Sequence, residues 1–246
     1  MQRAICITQA RMGSSRLPGK VLAAIQDKPM LEYHLARVGQ AKLVDKHIIA
    51  TSNTEIDKPI VEFCQLNKQP FFCGSELDVL SRFYHAALHE NAAPEDIIIR
   101  LTGDCPLISA ILIDETITKH RQGDNSQYTH ISLSYFPRGF DVEVFSMASL
   151  TKAYENATTV AEREHVTLYL YSQPDTIIVP VETGELGWNK FRLCVDENED
   201  LQLVTTLIKL LDKNWLNVSP KEICQLLQLH PEIARINANI IQRIAH

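Results

Sequence analysis

The sequence predicts an α/β fold with a mostly parallel sheet flanked by helices. Two observations carry this prediction. In the first half of the chain, short β-rich runs alternate with stretches of helical periodicity, which is the pattern of βαβ units. One of these runs, Ile97-Ile98-Ile99, is continuously β-branched, as expected for a strand buried on both faces. Parallel strands present their carboxyl ends at one edge of a sheet, and ligands bind there in open α/β folds.

The elements of the first half follow in order. Strands are predicted at residues 4–7, 46–52, 69–73 and 96–102, and helices at residues 30–40, 55–67, 77–89 and 110–120. Two of these helices begin with the spacing of a capping box, Thr54-x-x-Asp57 and Ser75-x-x-Asp78. In such a box the side chains satisfy the free N–H groups of the first helical turn.

The pattern changes after residue 120. Strands are predicted at 128–133, 140–145, 177–181 and 191–195, and helices at 146–156, 160–172, 199–212, 223–229 and 233–244. The turn-bearing segment 134–139 favours antiparallel pairing of the first two strands. Ser219-Pro220-x-Glu222 is a strong helix start. Because no repeat or Gly/Ser linker interrupts the chain, we expect a single domain over 1–246, with about 128–190 as an insertion or small β-containing flap.

Composition narrows the class of protein. The chain has 246 residues and a net charge of −6, which argues against nucleic acid as a partner. No apolar run approaches the ~20 residues that span a bilayer, so no membrane partner is expected, and the first strand is too short for a secretory signal. The 6 cysteines are scattered without a C-x-x-C pair, as expected for buried thiols in a reducing cytoplasm.

The loop 9–20, Gln-Ala-Arg-Met-Gly-Ser-Ser-Arg-Leu-Pro-Gly-Lys, is the most informative stretch. It follows the first strand directly, and its glycines allow backbone N–H groups to approach an anion while Arg11, Arg16 and Lys20 bring positive charge. The loop is neither a P-loop nor a G-x-G-x-x-G turn, because five residues separate Gly13 from Gly19 and a valine follows the lysine. We expect it to bind a polyphosphate; the alternative is a solvated basic turn.

Two aspartates follow predicted strands and are candidate metal ligands. Asp104 comes after the strand at 96–102, where Gly103 permits a tight turn, and Asp196 ends the strand predicted at 191–195. A carboxylate beside a polyphosphate needs an intervening cation, and Mg²⁺ binds phosphate oxygens together with one or two carboxylates. Two alternatives stay open: Asp104 as an Asx-turn residue before a proline, and Asp196 as part of an acidic first helical turn.

Four weaker signals remain. His165 lies on a predicted helix, where a histidine is more often structural than catalytic. Arg138 lies in a turn and could contact an anionic substrate. Thr51 and Ser52, at the end of the second strand, could bond the edge of a base or start the next helix.

At this point the chain resembles a known family. The motifs that carry the resemblance are collinear over most of the chain: residues 7–20, Leu101-Thr102-Gly103-Asp104-Cys105-Pro106-Leu107, Arg163-Glu164-His165-Val166-Thr167 and Arg192-x-x-Val195-Asp196-x-x-Glu199-Asp200-Leu201. They are similar to the cytidylyltransferases of sugar-acid activation, and most similar to the spore-coat polysaccharide biosynthesis protein F group. Acylneuraminate and 3-deoxy-manno-octulosonate cytidylyltransferases are related to this group. The end of the loop, Ser-Ser-Arg-Leu-Pro-Gly-Lys, departs from the sialic-acid enzymes and argues against a sialic-acid substrate.

The resemblance implies a GT-A-like nucleotidyltransferase fold, a homodimer and Mg²⁺ as cofactor. By position, the residues at the nucleotide are Ala10, Arg11, Gly13, Ser14, Arg16, Lys20 and Thr51. Arg11, Lys20 and Asp104 would carry catalysis, and Asp104 and Asp196 would bind the metal. Arg138 and His165 would contact the acceptor.

The implied activity is transfer of CMP from CTP to a sugar or sugar acid in surface polysaccharide biosynthesis, with release of pyrophosphate. The alternative is a glycosyltransferase of the same fold, or a relative that only binds a nucleotide sugar. A glycosyltransferase would show an Asp-x-Asp motif after a central strand, whereas Asp104 stands alone before Cys105 and Pro106. The sequence therefore favours nucleotidyl transfer.

Overall fold

The computed structural model describes residues 2–124 and 126–241, and a sheet of seven strands lies at the centre of this part of the chain. The strands are β1 (Ala4–Gln9), β2 (Ala24–Ile25), β3 (Lys28–Pro29), β4 (Lys46–Ser52), β5 (Phe71–Gly74), β6 (Ile97–Thr102), β7 (Tyr128–Ile131), β8 (Glu143–Ser146) and β9 (Ile178–Val181). β2 and β3 form a small separate hairpin, which the sequence did not predict. The central sheet has the order β5-β4-β1-β6-β8-β7-β9.

Most of the sheet is parallel, as predicted. β1 pairs in parallel with β4 and β6, and β5 extends the sheet in parallel from β4. β8 runs antiparallel to both of its neighbours, β6 and β7, while β9 is parallel to β7. Within the described ranges, β8 is thus the one reversed strand of the sheet. The loops after β1 and β6 emerge at the same edge.

Helices cover both faces of the sheet. They are α1 (Met30–Val38), α2 (Lys58–Leu66), α3 (Val79–His89), α4 (Ala110–Arg121), α5 (Met147–Asn156), α6 (Val160–Glu164), α7 (Leu168–Tyr171), α8 (Asn198–Leu211), α9 (Pro220–Leu229) and α10 (Pro231–Ala234). In β1, Ala4 and Cys6 belong to one apolar cluster and Ile5 and Ile7 to another, and all four are fully buried. The central strands are therefore buried on both faces.

The segment 128–190, expected as an insertion or flap, contributes β7, β8 and β9 to the central sheet. Its strands continue the sheet and are not a separate layer. α5, from the same segment, packs against α3 on one face of the sheet.

The prediction of a strand at residues 191–195 is wrong. This segment forms only an isolated bridge between Arg192 and Arg138. Leu193 N–H donates to the carbonyl of Arg138 at 2.7 Å, and Val195 N–H donates to that of Asp104 at 2.8 Å. The segment bonds two different loops, so no ladder forms, although Leu193 and Val195 are fully buried like strand residues.

The helix predicted at 160–172 is interrupted. α6 begins with a capping box at Thr159, and the N–H of His165 closes its last turn on Ala161. Between α6 and α7, Val166 is buried and the Thr167 hydroxyl donates to Glu143 at 2.8 Å. These two inward contacts break the helical periodicity and leave His165 at the break.

The predicted caps have three outcomes. Ser219 forms the expected capping box with Glu222. The cap of α3 is Asp78, which accepts the N–H of Ser81, with Ser75 one turn earlier. The prediction of a capping box at Thr54 is wrong, because the Asp57 carboxylate instead accepts N–H groups from Ser52 and from the loop after β1.

The last helix is shorter than the sequence predicts. The helix expected at 233–244 ends at Ala234 as α10, and residues 242–244 lie outside the described ranges.

The cysteines follow the expectation: the 6 thiols are free, and all but the half-buried Cys73 are buried. Among the described residues, no helix is long and apolar enough to cross a membrane.

Candidate active site

Two cavities lie side by side at the carboxyl edge of the sheet. Cavity A, of about 260 Å³, adjoins the loop after β1. Cavity B, of about 460 Å³, lies over β6, β7 and β8. The cavities share a wall, and the side chains that line both are Arg100, Thr102, Asp104, His165 and Asp196. A molecule in one cavity is thus in reach of a molecule in the other.

The loops after β1 and β6 touch each other at Gly103. A Cβ atom there would lie 3.1 Å from the Gln9 carbonyl oxygen and 3.2 Å from Ala10 Cβ. The Gly103 N–H donates to the same carbonyl at 2.8 Å. Any larger residue would push the loops apart, so glycine at 103 keeps Asp104 against the basic loop.

The basic loop is folded around the backbone of Met12. Its carbonyl accepts N–H groups from Ser14 and Gly19, both at 2.9 Å, and its own N–H donates to Asp57 at 2.6 Å. Gly19 has φ +73°, which favours glycine, and Lys20 follows at the start of a 3₁₀ turn. The loop therefore turns back and delivers Lys20 to the floor of cavity A.

Lys20 joins the two predicted metal ligands. Its Nζ donates to Asp104 Oδ2 at 2.8 Å, to Asp196 Oδ1 at 2.7 Å and to the Val195 carbonyl at 2.7 Å. Its side chain is only 10% exposed. Three residues that are far apart in the sequence therefore converge on one point of the shared wall.

The Lys20 ammonium and the carboxylates of Asp104 and Asp196 stabilise each other in their charged forms. Burial alone would raise the pKa of Asp104, but the Lys20 ammonium and its hydrogen bond, with further bonds from Thr102 and Cys105, lower it to about 2. Burial also opposes the charge of Lys20, yet the two carboxylates raise its pKa above the usual range. The pKa of Asp196 is lowered, because Lys20 outweighs the effect of burial. All three groups are charged at neutral pH.

Asp196 is held at the amino end of α8. Asp200, fully buried in the first turn of this helix, accepts the backbone N–H of Asp196 at 2.9 Å and of Glu197 at 3.1 Å. Arg192 links the two aspartates, with Nε 3.0 Å from Asp200 and Nη2 2.5 Å from Asp196. The acidic run after residue 195 thus has both of the positions that the sequence suggested: it begins a helix, and its Asp196 lines the cavities.

Cavity B has a different kind of wall. Arg100 of β6 and Glu143 of β8 are cross-strand partners and form a partly buried ion pair. Glu143 also accepts the hydroxyls of Tyr128 and Thr167. Burial would raise the pKa of Glu143, but Arg100 and these hydroxyls lower it. The carboxylate is therefore charged and fully hydrogen-bonded.

Arg138 is the more available cation of cavity B. Its side chain is 44% exposed, and its closest carboxylate contact is a long one, 3.5 Å to Asp141. Asp141 is anchored by the N–H of Gly139 at 2.7 Å. Burial raises the pKa of Asp141, although this N–H and Arg138 act against the shift.

The structure brings most of the predicted residues to these cavities. Those that line cavity A are Ala10, Arg11, Ser14, Arg16, Lys20, Asp104, His165 and Asp196; Arg138 lines cavity B, as do His165 and the two aspartates. Gly13 and Thr51 are not among the described residues that line either cavity. Thr51 and Ser52 are buried, and Thr51 Oγ1 has no hydrogen-bond partner among the described residues.

Sequence reasoning missed several charged residues at the cavities, among them Arg82, Arg100 and Glu143. Arg82 lies on α3, is 2% exposed and lines cavity A. A signal existed for Arg100, which interrupts the apolar run of β6 where a buried strand would carry an aliphatic residue. Nothing local marks Glu143, whose role depends on its partner strand.

The donor set on the shared wall fits a divalent cation such as Mg²⁺. Asp104 Oδ2 and Asp196 Oδ1 approach one point closely enough to bond the same ammonium. In the described part of the chain no group of three or more His, Cys, Asp or Glu side chains could hold a metal. The protein thus offers two carboxylates, which suits a cation that keeps its remaining positions for phosphate oxygens and water.

The sequence matches a known family over nearly its whole length. A family model with the description "Cytidylyltransferase" matches residues 5–228. An uncharacterized protein of Methanocaldococcus jannaschii is 38% identical over 97% of this chain and 96% of its own length. The spore coat polysaccharide biosynthesis protein SpsF of Bacillus subtilis is 34% identical over 95% of this chain and 98% of its own length.

Solved structures agree with this match. A cytidylyltransferase of Leptospira borgpetersenii superposes with a TM-score of 0.88 at 28% identity and covers 100% of both chains. A CMP:2-keto-3-deoxy-manno-octonic acid synthetase, solved in complex with CTP, has a TM-score of 0.66 at 18% identity over 85% of this chain and 99% of its own. The second structure shares the fold, so the predicted nucleotidyltransferase fold is confirmed.

Proposed function

The chain belongs to the cytidylyltransferase family, and on that basis we propose that it transfers CMP from CTP to a hydroxyl of a sugar or sugar acid and releases pyrophosphate. The observation that carries the proposal is the wall shared by cavities A and B. Two substrates of an in-line displacement must meet across a few ångströms, and charged groups must line the meeting point. Arg100, Asp104, His165 and Asp196 line both cavities at that point.

Cavity A suits the triphosphate. Arg11, Arg16 and Lys20 reach it from one loop, and Arg82 reaches it from α3. Backbone N–H groups and cations of such a loop bind polyphosphate by charge and by close approach. We assign the phosphates of CTP to this loop, with Arg11 and Lys20 as the groups that stabilise the charge developing in the transition state.

Asp104 and Asp196 would hold Mg²⁺. When bound there, the metal supplies positive charge to the phosphate oxygens. The support from this chain is the convergence of two carboxylate oxygens on one point beside the phosphate loop. A neighbour of the same fold, Rv0371C of Mycobacterium tuberculosis, was solved in complex with manganese at 14% identity and a TM-score of 0.59, covering 84% of this chain and 99% of its own.

Cavity B suits the acceptor. A hydroxyl of a sugar in cavity B would attack the α-phosphorus of CTP across the shared wall, and the bond from that phosphorus to the leaving pyrophosphate would break. The hydroxyl proton passes to solvent water as the new bond to phosphorus forms. Arg138 is exposed and its contact to Asp141 is long and weak, so it would pair with the carboxylate of a sugar acid. His165, at the break between α6 and α7, lines both cavities and would contact the acceptor.

The pathway is proposed from a relative, and the assembly from the family resemblance. SpsF is described as a polysaccharide biosynthesis protein, and we propose surface polysaccharide biosynthesis for this chain as well. We also propose that the enzyme works as a homodimer in the cytoplasm. Sedimentation velocity on the purified protein tests the dimer, and a monomer at micromolar concentration would contradict it.

Pyrophosphate release tests the activity. The purified protein is incubated with CTP, Mg²⁺ and a panel of acceptors that includes 3-deoxy-manno-octulosonate, other 2-keto sugar acids and neutral sugars. We expect pyrophosphate and a CMP-sugar with at least one acid acceptor, and no product with UTP. Binding of CTP without pyrophosphate release across the whole panel would favour a nucleotide-binding role over a transferase.

A further inference from the structure

The cation position between Asp104 and Asp196 is filled by a side chain of the protein itself. Lys20 Nζ lies within 2.8 Å of an oxygen of each carboxylate and 2.7 Å from the Val195 carbonyl. These are the oxygens that a divalent cation at this point would bind. Two cations cannot share the point, because like charges at such a distance repel strongly in a half-buried site.

The second oxygen of Asp196 is also engaged. Arg16 Nη2 lies 2.9 Å from Asp196 Oδ2, and Arg192 approaches the same oxygen. Arg192 is fixed by its bond to buried Asp200, whereas Arg16 belongs to the same loop as Lys20 and remains 23% exposed. The two loop cations are therefore the members of this cluster that are free to exchange partners.

We propose that Lys20 and Arg16 form a counter-ion lock, which closes the divalent-cation position until a polyphosphate arrives. The inference rests on the proposed function, because it takes the triphosphate of CTP as the competing partner of the two loop cations. When the phosphates enter cavity A, Lys20 and Arg16 transfer from the carboxylates to the phosphate oxygens, and the freed carboxylates accept the metal. Nucleotide and metal then bind with positive coupling, which must be reciprocal.

Mn²⁺ binding in the absence of nucleotide tests the lock without any catalysis. The probe is Mn²⁺ alone, titrated against the protein and followed by the electron paramagnetic resonance signal of the free ion. Lys20→Met keeps an unbranched apolar side chain, one atom shorter, and removes its charge. We expect the Mn²⁺ affinity of Lys20→Met to exceed that of the wild type by roughly 5–150-fold, the usual range of a coupling between sites. Arg16→Gln should give a smaller gain, because Arg192 still holds Asp196.

A matched control separates a contact from general charge. Arg11 lines the same cavity, is exposed and forms no ion pair with Asp104 or Asp196 within the described ranges. Arg11→Gln removes the same charge, and we expect it to change Mn²⁺ affinity by less than about twofold because an exposed charge is screened. Equal gains in Arg11→Gln and Lys20→Met would overturn the lock and leave only a field effect.

Thermal unfolding gives a second measurement, and its wild-type arm needs no variant. The lock predicts that Mn²⁺ alone at millimolar concentration leaves the Tm of the wild type unchanged, and that it raises the Tm of Lys20→Met. Tight Mn²⁺ binding by the nucleotide-free wild type overturns the lock, even if Lys20→Met does not fold. So does a variant that binds Mn²⁺ no better than the wild type. Because none of these measurements contains CTP, a failure of CTP to bind counts against the proposed function alone.

Discussion

The walls of the two cavities use charge in opposite ways. In cavity A, Lys20 and Arg16 hold Asp104 and Asp196 through contacts from a loop, and each cation has a second partner to gain when phosphate arrives. In cavity B, Arg100 and Glu143 are locked across two strands, and Tyr128 and Thr167 complete the carboxylate. The first wall is built to exchange partners, and the second is built to stay as it is.

The comparison indicates that the ion pairs of the loop serve binding, whereas the ion pair between the strands fixes the shape of the cavity. Exchangeable ion pairs let a highly charged nucleotide enter without leaving buried charges unpaired. The Glu143 carboxylate already accepts three hydrogen bonds and offers a ligand little new bonding, but the pair fixes the shape and polarity of the cavity around it. We therefore expect substitutions of the Arg100–Glu143 pair to affect stability first, and substitutions of Lys20 or Asp104 to affect turnover first.

The largest effect is expected for Arg100→Met. Glu143 would remain largely buried without its counter-ion, and breaking a fully buried pair costs about 3–5 kcal/mol, which is the upper bound for this partly exposed pair. Urea unfolding measures the loss. Lys58→Met, which removes an exposed partner of Glu55, should change the free energy of unfolding by less than about 0.5 kcal/mol. The double variant Arg100→Met/Glu143→Gln should recover part of the loss, and a stable single variant would refute the distinction between the walls.

Lys20→Ala and Asp104→Asn should each reduce turnover with CTP by ~10²–10³-fold, because each removes a preorganised charge at the transition state. Both proteins should stay folded, since the site is partly open to solvent and Asp196 retains Arg16 and Arg192. Steady-state pyrophosphate release measures the rate, and circular dichroism checks the fold. Asp175→Asn, at an exposed ion pair, is the matched control. Wild-type turnover in either variant would remove these residues from the mechanism.

Arg138→Gln should raise the KM for an acidic acceptor by roughly 10–100-fold, the value of a hydrogen bond to a charged group. The KM for CTP should not change, because Arg138 lines cavity B and not cavity A. Arg235→Gln, an exposed arginine far along the chain, serves as the control. A change in the KM for CTP alone would place Arg138 on the nucleotide side instead.

The smallest effect is expected for Thr51→Val. Its hydroxyl is buried and lacks a partner among the described residues, so replacing it by a methyl group should leave stability unchanged or raise it by up to about 1 kcal/mol. CTP affinity should stay the same, because the residue does not line cavity A. Weaker CTP binding in this variant would restore the role that the sequence predicts for Thr51.

The sequence predicted the location of the cavity residues best where that location follows from the end of a single strand. The basic loop after β1 and Asp104 after β6 are placed by the rule that parallel strands end at one edge. Asp196 was placed for a partly wrong reason: the strand predicted before it is absent, but buried Leu193 and Val195 anchor the segment as a strand would.

The rest of the site depends on partners that are distant in the sequence. Arg100 and Glu143 meet only because β8 is inserted antiparallel beside β6, and no local pattern specifies that neighbour. Asp57 has the spacing of a helix cap, yet it holds the backbone of Met12 in a loop 45 positions away. The break at His165 arises from the bond between Thr167 and Glu143, which is again a tertiary contact.

Thermal unfolding with CTP, UTP, ATP and GTP, each with and without Mg²⁺, tests the central claim most directly. A ligand at ~100 times its Kd stabilises the native state by ~2.7 kcal/mol if it binds only that state. The account predicts that CTP raises the Tm most and that Mg²⁺ enlarges this shift. Equal shifts with all four nucleotides, or no shift at millimolar concentration, would contradict a CTP site in cavity A.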